Sequence, residues 1–168
     1  MSTDHRYGQV TEEPGGGRRL EFRRSWPDPI EDVWSALTDD ERLARWIGSY
    51  EGPRGTGARG AFTMTQEAEP AREEVTIVEC DPPRRLVLEW TAELRWRVEL
   101  DLAARDGGTE LRFTQVLATP DGASDIATGW HWYLDKLEAG VTGGPRPAAW
   151  GAFLADVGAG YHQPPAPA

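Results

Sequence analysis

Leu20 and Phe22 alternate with Glu21 and Arg23 between Arg18 and Trp26, the period-two pattern of a strand with one buried face. Asp28-Pro29-Ile30-Glu31 then carries the chemistry of a helix start. Asp28 serves as N-cap, Pro29 takes the first helical position, and Glu31 can reach back to the cap. Ile30, Val33, Trp34 and Leu37 follow at helical spacing and define the buried stripe. Thr38-Asp39-Asp40-Glu41 repeats the capping pattern and starts a second short helix, whose apolar face runs through Leu43, Trp46 and Ile47 until Gly48 stops it.

From Gly60 to Ala118 the period returns to two, broken by turn signals. Phe62, Met64 and Gln66 share one strand face, and Leu86, Leu88 and Trp90 share another after the breaker Asp81-Pro82-Pro83. Val75, Ile77 and Val78 mark a strand whose facing the pattern leaves open. The clearest alternation sets Leu94, Trp96, Val98, Leu100 and Leu102 against Arg95, Arg97, Glu99 and Asp101, so water covers the second face. Asp106-Gly107-Gly108 turns this strand into Leu111, Phe113 and Gln115 as a hairpin.

A helix is predicted from about Ser124 to Val141, because Ile126, Trp130, Tyr133, Leu134, Leu137 and Val141 fall within an arc of about 100°. Gly143-Gly144-Pro145 ends it. Ala148 to Val157 is predicted as a further helical piece on the spacing of Trp150, Phe153 and Leu154. His131 lies about 100° or more from the centre of the long stripe and is expected to be partly solvated, while Trp132 lies about 180° from it and faces away. Trp150, Phe153 and Leu154 offer the cover for Trp132, so residues 146–162 are expected to fold back over the outer side of the long helix, with a homodimer interface as the alternative.

This order of elements predicts an α+β domain. One apolar sheet face must be covered by the long helix, and a curved antiparallel sheet wrapped around it, with two short helices at one end, can leave a pocket. The expected organisation is a flexible N-terminal tail over 1–17, the domain over 18–145, a helical extension over 146–162 and a flexible tail over 163–168.

Composition narrows the function classes. Eighteen basic against 28 acidic side chains give a net charge of −10, a field that repels phosphate backbones and anionic lipid surfaces, so neither nucleic acid nor membrane is an expected partner. Cys80 is the only cysteine, which excludes an internal disulfide and a thiolate zinc cluster. A cytoplasmic location is expected. His5, His131 and His162 have no metal-ligand spacing, so no metal and no cofactor is expected. Gly55-Thr56-Gly57-Ala58-Arg59-Gly60 spells a dinucleotide fingerprint, but a helix precedes it and a strand follows, the reverse of the context that cradles phosphate. Cys80, with no histidine near it in sequence, is expected to be an inert thiol.

Several spaced motifs together resemble a known family. Pro27-Asp28-Pro29-Ile30-Glu31-Asp32-Val33-Trp34, Leu43-Ala44-Arg45-Trp46, Gly60 before Phe62, Asp81-Pro82-Pro83-Arg84-Arg85-Leu86 before Trp90, Gly108-Thr109-Glu110-Leu111 and Gly129-Trp130 are similar to the SRPBCC (START-like) proteins. The pattern looks like the branch named for the C-terminal domain of the heat-shock-protein-90 ATPase activator. The resemblance runs from about Leu20 to Gly144. It implies the helix-grip (START-like) fold and an internal cavity for apolar ligands, and it carries no universal catalytic motif.

Eight tryptophans supply the remaining signal. The candidate ligand-binding residues are Trp46, Phe62, Met64, Gln66, Trp90, Trp96, Phe113, Gln115, Trp130, Tyr133 and Leu134, all on predicted inner faces. Packing alone is the favoured role of Trp34 and weighs against Trp96 as well. Inward-facing Trp, Tyr and Gln groups need partners, which water or a ligand could supply. The expected function is binding of a small hydrophobic molecule, lipid-like or aromatic. The alternatives are a polyketide-cyclase-type enzyme in which His131, Tyr133 or a buried Gln assists proton transfer, and, ranked last, a chaperone partner. No catalytic constellation assembles from the sequence.

Overall fold

The computed structural model describes residues 6–67, 69–91 and 95–161. Leu94, His5 and His162 lie outside the described residues, as does the expected tail over 163–168. The chain runs β1 (Gln9–Glu12), β2 (Arg18–Trp26), α1 (Ile30–Thr38), α2 (Asp40–Trp46), β3 (Ser49–Glu51), β4 (Arg59–Thr63), β5 (Arg72–Asp81), β6 (Arg85–Trp90), β7 (Trp96–Arg105), β8 (Gly108–Leu117), α3 (Ala123–Thr142) and α4 (Trp150–Tyr161). The strands form one antiparallel sheet in the order β1-β2-β8-β7-β6-β5-β4-β3. This is the expected helix-grip arrangement. The helices α1 and α2 carry the chain from β2 near one edge to β3 at the other, and α3 lies across the apolar face.

Alternation builds that face. Leu20, Phe22 and Trp26 of β2, Leu111 and Phe113 of β8, and Val98, Leu100 and Leu102 of β7 are all buried in one core with Trp130, Leu134, Leu137 and Val141 of α3. The β7–β8 hairpin turns through Asp106 and Gly107, both at positive φ, with Gly107 at +82°. Helix α3 stops at Gly143, which takes the left-handed conformation and returns its N–H to the Ala139 carbonyl at 2.9 Å.

Four expectations are corrected. Residues 6–17 are not a loose tail: Gln9–Glu12 pair with Arg18–Glu21 as an edge strand, and the Gly8 N–H bonds the Tyr161 hydroxyl at 2.7 Å. Ordering there rests on backbone pairing and on the Tyr7 ring against His131 and Tyr161, which a mostly polar stretch does not announce. Strand β4 ends at Thr63, so Met64 and Gln66 do not continue the Phe62 face. Asp28 does not cap α1, whose N-cap is Pro29 without a side-chain bond; instead the Asp28 carbonyl accepts from Thr109 Oγ1 at 2.7 Å. His131 is 2% exposed rather than solvated, because α4 and the segment before β1 cover its side of α3.

That covered side holds a polar cluster. Arg24, on the inner face of β2, binds Asp135 Oδ1 at 2.7 Å and donates to the Arg6 carbonyl at 2.9 Å. Burial pulls the Arg24 pKa below its usual value, and Asp135 opposes that pull. His131 Nδ1 lies 2.8 Å from the Tyr161 hydroxyl, and its Nε2 faces Asp135 at 3.6 Å. Nearby, Trp132 donates to the Ala148 carbonyl at 3.0 Å and stacks obliquely on Trp150, with ring centroids 5.3 Å apart. The extension therefore clasps the outer side of α3, with Phe153 buried and Trp150 and Leu154 partly exposed.

Candidate functional site

A cavity of about 340 Å³ lies between α1, α2, the inner sheet face and α3. The volume is at the lower end of the range that holds small organic ligands, about 300 to 1,000 Å³. The helices contribute Trp34 and Leu37 from α1, and Leu43 and Trp46 from α2, with Ile47 just beyond. The sheet contributes Phe62, Val75, Ile77, Cys80, Leu88, Trp90, Leu100 and Phe113 among others, and α3 closes the space with Trp130 and Leu134. Six of the candidate residues thus meet around one space: Trp46, Phe62, Trp90, Phe113, Trp130 and Leu134.

Cys80 reaches this lining through an irregularity. Val75 and Ile77 face inward, the register against β6 shifts between Ile77 and Glu79, and the parity of the strand inverts. Cys80 then points the same way as Ile77. Burial raises its thiol pKa, with Asp81 adding to the shift, which favours the protonated thiol over the thiolate.

Two of the inward indoles are satisfied by the protein itself. Trp46 Nε1 donates to the Ala36 carbonyl at 2.8 Å, and Trp130 Nε1 donates to Gln115 Oε1 at 2.8 Å. The expectation that a ligand or water would satisfy these indoles is corrected. Gln115 does not line the cavity; it is fully buried behind Trp130, with Nε2 left without a partner. Gln66 is also displaced from the site, since its amide donates to the Ala44 carbonyl at 3.1 Å and accepts from Lys136.

Met64, Trp96 and Tyr133 lie beside the cavity rather than in it. Met64 and Trp96 line a more open cleft of about 530 Å³ that shares Phe62, Trp90 and Trp130 with the cavity and adds Glu67, Glu69 and Glu73. Tyr133, with Trp132 and Trp150, borders the neighbouring depression under Met64 and Trp96. Its hydroxyl donates to Glu67 Oε1 at 2.6 Å; burial raises its pKa, the Glu67 bond raises it further, and the phenol stays neutral. Both Trp34 and Trp96, favoured as packing groups, border open space.

At the opposite end, Thr38, Asp39, Arg54 and Gly55 form the polar rim of the cavity. Arg54 donates to the Thr38 carbonyl at 2.6 Å, pairs with Asp40, and lies 5.5 Å from the centre of the Tyr50 ring. The glycine run 55–60 forms the approach to β4. The Gly57 N–H is taken by the Ile77 carbonyl at 2.7 Å, and a Cβ on Gly60 would meet the Glu51 carbonyl oxygen at 2.5 Å. Gly60 thus serves the close approach of β3 to β4, while Gly55 and Gly57 supply the positive φ of the loop before it. Among the described residues, no group of three His, Cys, Asp or Glu side chains is placed to hold a metal, and no helix is long and apolar enough to cross a membrane.

Comparison with known proteins places this geometry. The family described as Activator of Hsp90 ATPase homolog 1-like protein matches residues 28–142. The chain is similar to the solved structure of the protein encoded by BPP1335 from Bordetella parapertussis, at 26% identity and a TM-score of 0.73, covering 97% of this chain and 95% of that one. It is also similar to CalU16 from Micromonospora echinospora, at 25% identity and a TM-score of 0.71, covering 92% of each. EF2215 from Enterococcus faecalis, a conserved protein of unknown function, shares the fold at 18% identity and a TM-score of 0.71, over 92% of this chain and 87% of that one. No curated protein matches the sequence.

Proposed function

The chain belongs to the Activator of Hsp90 ATPase homolog 1-like family, within the SRPBCC superfamily, and from that premise we propose that it binds a small hydrophobic molecule in the cavity between its sheet and α3. The observation that carries this reading is the aromatic lining. Trp34, Trp46, Phe62, Trp90, Phe113 and Trp130 all border a space that a well-packed core of this size would fill. Apolar surface left facing such a space gains free energy when a ligand covers it, at about 25 cal/mol per Å².

Nothing in the lining supports the cyclase alternative to the same degree. His131 sits on the far side of α3 under α4, Gln115 is behind Trp130, and Tyr133 is bonded to Glu67 in the adjoining depression. None of these groups, each offered as an alternative for proton transfer, lines the cavity. For the chaperone-partner reading, the family's name is the sole support.

Organic extraction of the purified protein followed by mass spectrometry tests the proposal. A single apolar species in stoichiometric amount is the expected result. Protein that carries none, and that also fails to take up any apolar probe, contradicts it.

A further inference from the structure

The charges around the cavity and its neighbouring cleft bear on the sign of the ligand. This step rests on the cavity being the binding site, and adds the chemistry of the head group. Among the residues lining the cavity and the two adjoining spaces, Arg54 is the only cation. It is already committed to Asp40, the Thr38 carbonyl and the Tyr50 ring. Lys136, which sits over the Trp132 ring beside Glu67, lines none of these spaces and is held by Gln66, so a carboxylate or phosphate head would have to break existing contacts to find a counter-charge, inside a chain whose net charge is −10.

The cleft offers the opposite. Glu67, Glu69 and Glu73 line it beside Trp90, Trp96 and Trp130, with no Lys or Arg among the lining residues. Glu67 holds the Tyr133 hydroxyl, and neither Glu69 nor Glu73 makes an ion pair among the described residues, where Arg72 beside them pairs with Glu51 instead. The Trp96 and Trp130 rings stand 6.4 Å apart, and their faces carry the negative quadrupole that attracts an ammonium group. The cleft meets the cavity at Phe62, Trp90 and Trp130, so an apolar body in the cavity places its head among the indoles and carboxylates.

We infer that the ligand is an amphiphilic organic cation: an alkyl or aryl body for the cavity, with a protonated amine for the cleft. An amine satisfies the carboxylates and the ring faces together. A neutral head leaves Glu69 and Glu73 as they are, and an anionic head is repelled.

The test compares decylamine, decanol and decanoate, three ten-carbon probes differing only at the head, by tryptophan-fluorescence titration at pH 7. Decylamine is expected to bind about tenfold more tightly than decanol, the scale of a partly desolvated cation over aromatic rings, with decanoate weakest. In the variant Glu67→Gln/Glu69→Gln/Glu73→Gln the preference for amine over alcohol should shrink to about threefold or less, as exposed rim charges are individually weak. The variant Glu12→Gln/Glu31→Gln/Asp156→Asn loses the same net charge away from the cleft and should keep the full preference. Equal binding of amine and alcohol, tightest binding of decanoate, or a preference that survives the cleft variant overturns the cationic ligand and leaves the cavity reading standing. No saturable binding of any probe overturns both.

Discussion

Arg85 holds three carboxylates on the solvent face of the sheet, with Glu79 at 2.9 Å, Glu99 at 2.6 Å and Asp101 at 2.7 Å. These pairs roof Val87, which is fully buried on the face that alternation assigns to water. The Arg85 hydrogen bond holds the Glu99 carboxyl below its usual pKa. The resulting stability is fully present above the unfolded value, about 4.3 for Glu, and is lost as pH falls through the lower folded value. Arg85→Met should therefore flatten the loss of unfolding free energy between about pH 5 and 3, measured by urea denaturation; an unchanged acid slope would contradict this linkage. At the same scale, the site was legible wherever period two held, as for Phe62, Trp90 and Phe113. It failed at Cys80 because one extra residue at the register shift after Ile77 inverts the strand, and nothing in Val75 to Cys80 signals a bulge. Gln66 was misplaced because the alternation runs past Thr63, where the strand stops.

Among the elements, α3 was the most legible, predicted over Ser124–Val141 and found over Ala123–Thr142, because its stripe is long and bounded by glycines. Helix α4 was foreseen as a cover for Trp132, and its contacts explain why a periodicity argument misjudged His131. A single helix wheel knows one buried face, whereas α3 has two, one against the sheet and one against α4 and the Tyr7 ring. Strand β1 escaped notice because an edge strand needs only one neighbour's backbone and no apolar face. Truncation after Gly144 removes the rings of Phe153 and Tyr161 from His131 and the Ala148 carbonyl from Trp132. Unfolding stability should drop by about 3 kcal/mol, the scale of losing one buried aromatic side chain; a loss below about 1 kcal/mol would show that α4 is not a clasp.

The whole molecule places its aromatic residues where α1, α2, α3 and a curved sheet cannot fully interdigitate. The sheet spans eight strands and α3 covers only part of its inner face, so the remainder is faced by the shorter α1 and α2 across the cavity. The fold was legible from element order and apolar periodicity. Whether inner-face aromatics pack or line was not, since both roles select the same residues, and only the relative placement of helices and sheet separates Trp130 at a cavity wall from Phe22 in a filled core. Leu100 lies on that wall and is buried, so a larger side chain there fills space that a ligand would otherwise take. The direct measurement is calorimetric titration of decanol into the native chain and into Leu100→Phe. The native chain should bind one equivalent with a negative heat-capacity change, and the filled variant, still unfolding cooperatively, should bind about tenfold more weakly or not at all. Equal binding by both proteins, or no saturable heat with the native chain, would contradict a ligand held in the cavity.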